Sequence, residues 1–428
     1  MQWTQTRKDS MIAKPKLRFV EALPLEAEHG QRFALRDPSG LVEQMVVVSR
    51  DALFLLQFFD GKHSLPEIRS EYQRQFGALL DQQQLETLVT QLDRNYFLES
   101  ETFQAYRRAL EKQMLALPSR PAAHAGVSYP ADPDELRTKL DSFYANGAGF
   151  PSVASGNRKN GNAFVAGAVA PHIDLRVGGA CYTHAYRALA ESAPADVYVI
   201  LGTGHSGLAN CYSCLPKDFE TPLGLVKHDE RFIAELARQH PFELFGEPLP
   251  HRNEHTIEFQ TVFLQHLFGK RRPFTIAPIL CSYAYLMLTD DRFTHEHDII
   301  TAFITALRKT CEIEARRGRK ICCLASVDFS HVGPRYGDEG QPGREFLQQV
   351  SSADQALIQA IEKVNAAQFV AANESIQDRY RVCGFAPIHT LLASSAAKSG
   401  KLLKYEQGLV DDRKSVVSYA SAALYEPS

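Results

Sequence analysis

Three histidines in this chain stand at the ends of apolar segments. AGAVA is followed by P-His172, VYVILG by T-G-His205, and LASV by D-F-S-His331, a run that begins with Asp328. Open parallel sheets bind ligands beyond the carboxyl ends of their strands. One histidine there is ordinarily a hydrogen-bonded loop residue, but three at equivalent points of one sheet predict a shared cleft. Since imidazole is the commonest protein ligand of borderline metals, the pattern predicts a metal centre.

A fourth cluster is the segment NEHTIE at 253–258. His255 and Glu258 are three positions apart, so they share a helix face. They could form a ligand pair, or an acid–base pair in which the carboxylate orients the imidazole. Glu254 fits a helix N-terminus equally well, because the helix dipole favours a carboxylate there. We expect His255 and Glu258 to act in the site, and Glu254 stays open between capping and function.

The last candidate is Cys383 in the segment YRVCGFAPIH. It precedes Gly384 and an apolar helical stretch, and a cysteine at a helix N-terminus tends to have a lowered pKa. The setting favours a thiolate, which is either a soft metal ligand or a nucleophile, and a buried inert cysteine is the third interpretation. The C-x-x-C pair Cys211 and Cys214 has no second pair, so we interpret it as structural.

The elements that must position these residues lie in the second part of the chain, 124–428. Short apolar runs alternate there with helical stretches, and the runs lie at 163–170, 196–202, 274–281, 321–327 and 415–425. This alternation predicts an α/β domain with a mainly parallel sheet covered by helices on both faces. The double glycine at 178–179 is expected to turn the chain away so that a ligand can approach His172.

A small unit at 31–101 follows an N-terminal extension, 1–30. RFALRD and VEQMVVVS are strand-like and are joined by P-S-G, which predicts a hairpin. Ser49 is positioned to cap the first of three helices, and SLPE is a capping box for the second. Two strands followed by three helices predict a small α+β winged-helix-like domain, and a helix and linker at 102–123 lead to the second domain.

Composition restricts the classes of partner. The 428 residues are 44% hydrophobic and 23% charged, with a formal net charge of −3. Residues 1–120 hold sixteen basic and sixteen acidic side chains, so the basic footprint of a nucleic-acid reader is missing. No apolar stretch approaches the ~20 residues that span a bilayer. With a polar N-terminus and eight cysteines, we predict a cytoplasmic protein with reduced thiols that binds neither nucleic acid nor membrane.

Several fragments together resemble the Memo family, whose bacterial members are called AmmeMemoRadiSam system protein B. The seven fragments follow the family's order and cover 124–428: HAGVSYP, APHIDL, ILGTGHS, NEHTIE, SVDFSH, VCGFAP and SVVSYASAAL. The first 123 residues are additional to the short Memo proteins. Their order of elements, with FFDGKHSLPEI at its centre, resembles the PqqD-like peptide-recognition domains that accompany radical-SAM enzymes.

The Memo resemblance implies a fold similar to class III extradiol dioxygenases and a metal held by His172, His205 and Cys383. It implies iron or copper, with iron favoured and zinc as a further option. His331 is similar in position to the dioxygenase catalytic base. The dioxygenases have a glutamate where Cys383 stands, so ring cleavage does not follow from the resemblance. Many members read P-H-A-G where this chain has Asp174, which predicts an additional ligand or a partner that orients one.

Two functions from different classes follow. In the first, 124–428 is a Memo-type metalloprotein with redox or dioxygenase-like chemistry on an unknown small molecule or peptide. His331, Asp328, His255 and Glu258 are then the catalytic residues around the metal. In the second, the protein is a non-catalytic adaptor whose N-terminal domain binds a peptide or a radical-SAM protein. A cysteine hydrolase with Cys383 as the nucleophile is a third option.

Overall fold

A computed structural model of the chain describes residues 12–25, 31–151 and 164–426. The chain divides into two compact units, residues 1–116 and residues 117–428. The candidate site residues all belong to the second unit, so the first is described only briefly.

The first unit contains three strands followed by four helices. They are β1 Glu21–Leu25, β2 Arg32–Arg36, β3 Val46–Ser49, α1 Arg50–Leu56, α2 Leu65–Phe76, α3 Gln82–Arg94 and α4 Glu101–Ala116. The sheet is antiparallel in the order β1-β2-β3. The predicted hairpin, the Ser49 cap and the capping box before α2 are confirmed. Strand β1 was missed, because its EALPL sequence alternates weakly and four of its five residues are exposed.

The second unit is built around one large sheet. Its strands are β4 Ser119–Arg120, β5 Val165–Ala170, β6 Val197–Thr203, β7 Tyr212–Cys214, β8 Asp218–Thr221, β9 Gly224–Val226, β10 Thr275–Cys281, β11 Ile321–Ser326, β12 His331–Val332, β13 Ser399–Leu409 and β14 Val416–Tyr425. Its α-helices are α5 Pro133–Asn146, α6 Leu175–Glu191, α7 Glu230–Gln239, α8 Pro250–Asn253, α9 His255–Phe268, α10 Leu286–Thr289, α11 Thr294–Arg316, α12 Arg344–Glu362, α13 Ala366–Ser375 and α14 Phe385–Ser394. Short 3-10 helices lie at Asp291–Phe293 and Pro334–Tyr336.

The large sheet is mixed, where the sequence predicts a mainly parallel one. Its order is β12-β14-β5-β11-β6-β10-β7, with β13 paired to β14. The central strands β5, β11, β6 and β10 are parallel, whereas β7, β12, β13 and β14 pair antiparallel with their neighbours. The physical reason is the short connection between β13 and β14, which allows only a hairpin, since parallel neighbours need a long crossover.

The central strands are buried because helices flank the sheet. Every residue of β5, β6 and β11 is buried, which explains their near-continuous apolar sequences. Helices α6 and α9 pack against each other and against the sheet, and so do α11 and α14. The parallel register brings the carboxyl ends of β5, β6 and β11 to one edge, where the candidate residues follow.

The double glycine after His172 has a different role from the predicted one. Gly178 and Gly179 lie inside helix α6 and do not turn the chain. A Cβ atom at Gly178 would overlap Ile173, and one at Gly179 would overlap the ring of Phe143. The glycines therefore allow α6 to pack closely, which single-sequence spacing does not distinguish from a turn.

Candidate metal centre

His172 follows β5 and is held rigidly by neighbouring backbone. Its Nδ1 lies 2.9 Å from the carbonyl oxygen of Ser326, which accepts the Nδ1 proton and leaves the Nε2 lone pair free. Its backbone N–H donates to Oδ1 of Asp328 at 3.1 Å. Burial lowers the pKa of His172 well below its ordinary value, and repulsion from His205 and His255 acts in the same direction. The imidazole is therefore neutral, as a metal ligand must be.

His205 follows β6, and the carboxylate of Glu254 holds it in place. Its Nδ1 lies 3.1 and 3.2 Å from the two carboxylate oxygens of Glu254, and its backbone N–H donates to the same carboxylate. Burial lowers the pKa of His205, but the charge and hydrogen bonds of Glu254 outweigh burial and raise the pKa overall. The side chain keeps 41% exposure, so this is the open side of the cluster.

Cys383 completes the cluster from the segment before α14. Its Sγ lies 3.3 Å from Nε2 of His172 and 3.6 Å from the carbonyl oxygen of Asp328. The expected thiolate is not favoured: burial and the nearby Asp328 carboxyl raise the pKa of the thiol well above its usual value. The short distance to the helix start does not compensate for burial among acidic groups. The raised pKa favours the thiol form of Cys383, which argues against a cysteine hydrolase because that mechanism needs a thiolate nucleophile.

The structure brings the three residues of the implied ligand set together. The donor atoms of His172, His205 and Cys383 lie within 4.8 Å of one another, and the two imidazole centroids are 5.0 Å apart. Metal–nitrogen and metal–sulfur bonds of about 2.0–2.3 Å require donor atoms at such spacing. Both histidines direct Nδ1 to an acceptor, so both offer Nε2. The residues present fit a transition metal.

Glu254 is the residue of this site that sequence reasoning left undecided. It caps α9 by accepting the backbone N–H groups of His255 and Thr256, and it also lies 3.1 Å from Nδ1 of His255. Burial raises its pKa, but His205 and His255 more than reverse this and leave the pKa well below its usual range. His205, Glu254 and His255 form a second donor group within 4.8 Å. The sequence signal for this role is the position of Glu254 directly before His255 in the segment N-E-H.

Glu258 lies in a different environment from the one that the i, i+3 spacing suggests. It is fully buried and pairs with the buried guanidinium of Arg120. It also accepts the hydroxyl of Tyr129 and the backbone N–H groups of Ala123 and His124. Glu258 thus anchors the segment before α5, and the carboxylate that contacts the His255 imidazole is that of Glu254. The spacing could not show which way the side chain points.

Asp328 and His331 lie beside the cluster. Oδ2 of Asp328 is 3.5 Å from Nε2 of His172, and burial raises the pKa of Asp328 to about 7. His331 directs Nδ1 to the carbonyl oxygen of Phe329 at 3.0 Å, and its ring centroid is 5.0 Å from that of Tyr336. Burial lowers the pKa of His331 to about 4. Burial therefore favours the protonated carboxyl group of Asp328 and the unprotonated imidazole of His331.

Asp174 is not brought to the ligand cluster. Its carboxylate caps α6 by accepting the backbone N–H of Arg176, and it forms an ion pair with that guanidinium at 2.6 Å. It belongs to neither donor group found in residues 12–25, 31–151 and 164–426. The helix start that follows P-H-I-D explains its position, since aspartate is a preferred N-cap residue.

The fold and site together define an α/β protein with a histidine–cysteine donor cluster at the carboxyl edge of its parallel strands. The sequence model of the family described as Memo-like protein matches residues 120–423. A MEMO1 family protein of Aquifex aeolicus is 30% identical over 417 residues, 96% of this chain and all of the relative. The chain belongs to the Memo family.

Other relatives match different lengths of the chain. MEMO1 family protein MK0963 of Methanopyrus kandleri is 30% identical over 310 residues, 71% of this chain and 97% of its own. MEMO1 family protein TTHA0924 of Thermus thermophilus is 27% identical over 364 residues, 84% of this chain and 99% of its own. The similarity to the Aquifex protein therefore extends through both units. Among the described residues, no helix has the length and apolarity needed to cross a bilayer.

Proposed function

We propose that the second unit is a non-haem metalloprotein whose ion is held by His172, His205 and Cys383. The observation that supports this most strongly is the convergence of the three donor atoms within 4.8 Å, with both imidazoles offering Nε2. Imidazole and thiolate ligands suit iron, copper and zinc. Iron is favoured over copper, with zinc third, because three protein donors on one side leave positions open for substrate and oxygen.

A metal held by His172, His205 and Cys383 would supply redox or oxygen-linked, dioxygenase-like chemistry. The substrate is an unknown small molecule or peptide. Near neutral pH His331 is unprotonated and accepts a proton, whereas Asp328, with a pKa of about 7, is able to donate one. His255 and Glu254 orient His205, and Glu258 supports the fold around them. Eight unpaired cysteines support placing the protein in the cytoplasm.

The test is metal analysis of the full-length protein purified without oxygen. We expect close to one iron per chain in the wild type and loss of iron in His172→Ala. His228→Ala is the matched control, because His228 is a partly exposed histidine that belongs to neither donor group and is bonded to Asp218 at 2.6 Å. Protein free of iron and copper, with His172→Ala indistinguishable from the wild type, contradicts the proposal.

A second candidate function is an adaptor that acts through the first unit. Strand β3 pairs only with β2 among the described strands, so its outer edge is open, and Val47 and Met45 are 48% and 59% exposed. An extended peptide can add to such an edge, as the PqqD-like resemblance implies. A radical-SAM protein is the proposed partner. If the Val47→Asp variant still co-purifies with that partner, the adaptor function through the edge of β3 is contradicted.

A further inference from the structure

A cavity of about 380 Å³ lies directly beside Cys383. It is bounded by Thr203 at the end of β6, by residues 281–287 after β10, and by residues of the segment 373–386. We call it the Cys383 cavity. Because it shares Cys383 with the proposed ligand set, a molecule bound in it is next to the metal centre.

Most of the cavity wall is apolar and aromatic. Tyr285 and Phe385 face it with ring centroids 6.4 Å apart at 71°, and Met287 and Leu208 add aliphatic surface. Edge-to-face arrangements of this kind accommodate a further aromatic ring at favourable distances. The volume suits a molecule of one or two rings. The wall therefore favours a small aromatic body over an extended peptide.

The polar lining includes Asn373 and Asp378, besides Thr203 and Ser282. Asn373 lies in the last turn of α13 with 1% exposure; its amide nitrogen faces the Asp378 carboxyl, and its amide oxygen has no hydrogen-bond partner among the described residues. A buried amide oxygen without a partner is costly, so it indicates a donor group that arrives with the ligand. Asn373 offers this oxygen as an acceptor.

Asp378 makes this part of the cavity acidic. Oδ1 accepts the backbone N–H of Val382 at 2.9 Å, and the carboxylate also faces the Asn373 amide, so its remaining lone pairs are available to a ligand donor. Arg381, whose charge acts on Asp378, pairs with Asp338 at 2.5 Å and donates to the carbonyl oxygen of His331. Asp378 itself has φ +49°, a left-handed conformation that is costly for a non-glycine residue and recurs at functional sites.

We propose that the Cys383 cavity is the substrate subsite of the metal centre, and that it selects a small aromatic molecule bearing an N–H-rich amide or amidine group. The ring packs on Phe385 and Tyr285, and the N–H groups donate to Asp378 and to the carbonyl of Asn373. A carboxylate in the same place meets the negative charge of Asp378 and is rejected. The role of the cavity as a substrate subsite rests on the proposed function, whereas the binding of such a molecule in the cavity does not.

The experiment compares three probes of one size: benzamidine, benzamide and benzoate. Each is titrated into metal-free full-length protein by calorimetry or ligand-observed NMR. We expect benzamidine and benzamide to bind at least about tenfold more tightly than benzoate, because one charge-assisted hydrogen bond is worth that much. Asp378→Asn reduces the preference for benzamidine over benzoate by a similar factor. Asparagine tolerates the left-handed backbone there, so this variant keeps the fold.

Asn373→Leu keeps the side-chain volume and removes the amide, and it weakens the binding of benzamide. Asp290→Asn is the matched control, a partly exposed aspartate paired with Arg292, and leaves all three affinities unchanged. Equal binding of benzoate and benzamidine, or an unchanged preference in Asp378→Asn, overturns the inference. Metal is titrated in parallel. Metal binding without selectivity among the probes contradicts only this inference. Selectivity among the probes without metal binding contradicts only the proposed function.

Discussion

The two histidines of the ligand set are held in opposite ways. His172 is buried and donates a hydrogen bond from Nδ1–H to the neutral carbonyl oxygen of Ser326, whereas His205 is 41% exposed and faces the carboxylate of Glu254. The pKa of the first falls and that of the second rises. The His172 side thus supplies a rigid neutral ligand. The His205 side supplies a more basic ligand whose metal affinity responds to Glu254 and to pH.

Removing the rigid side has the largest expected effect. His172→Ala or Cys383→Ala should weaken metal binding more than about a hundredfold, beyond the loss expected for a residue that only orients a ligand. Affinity is measured by competition with a chromophoric chelator under anaerobic conditions. The control is His228→Ala. A loss no greater than that of the control means that the cluster is not the binding site.

Glu254→Gln should have the next largest effect. It keeps the size of the side chain and removes the charge opposite His205, which should cost about 10–100-fold in metal affinity. The same competition assay measures it. Glu258→Gln is the matched variant, four residues further along in α9, and it should leave affinity unchanged. Equal affinity losses in both variants contradict the separation of their roles.

Glu258→Gln should instead affect stability, because it leaves the buried Arg120 guanidinium without its counter-charge. Breaking a buried ion pair in this way costs about 3–5 kcal/mol. Denaturant unfolding of the metal-free protein measures the loss. A variant as stable as the wild type removes the anchoring role that we assign to Glu258.

The pH dependence of metal binding should distinguish the two sides. Cys383 has a raised pKa and releases a proton on binding, so affinity should rise about tenfold per pH unit above the pKa of His205. Below that raised pKa, protonated His205 must also release a proton, and the slope should approach two protons. His172 stays neutral throughout. In Glu254→Gln the steep limb should move to lower pH; chelator competition from pH 6 to 8.5 shows whether it does.

The smallest effect concerns Asp174, close to His172 in sequence. Asp174→Ala removes an N-cap and should cost about 1 kcal/mol of stability. Metal affinity should not change, since the carboxylate pairs with Arg176 and not with the cluster. Thermal unfolding and metal titration of the same sample measure both quantities. A clear loss of metal affinity returns Asp174 to the site.

The five apolar runs predicted as strands correspond to β5, β6, β10, β11 and β14, because buried strands such as VYVILG have strong local patterns, whereas helices α6, α12 and α13 were not predicted. The sequence also predicted which strand ends carry His172 and His205. It did not predict strand β13, and hence the β13–β14 hairpin, or strand β1, because the residues of β13 and β1 are largely half-buried or exposed. Such strands lack an apolar signature, and their pairing depends on distant parts of the chain.

The limits at the site have the same origin. Glu254 and Glu258 are both carboxylates at the start of α9, and spacing alone favoured the wrong one as the partner of His255. The choice is made by Arg120 and Tyr129, more than a hundred residues away, which capture Glu258. Likewise the pKa of Cys383 depends on burial beside Asp328 and not on its position before a helix. Tertiary charge and burial decide both cases.

X-ray absorption spectroscopy of the metal-loaded full-length protein tests the central claim most directly. The account predicts one sulfur neighbour at about 2.3 Å and imidazole nitrogens at about 2.0–2.1 Å. The sulfur should disappear in Cys383→Ser and should persist in Glu254→Gln. A wild-type spectrum with only nitrogen and oxygen neighbours would contradict the assignment of Cys383 as a ligand.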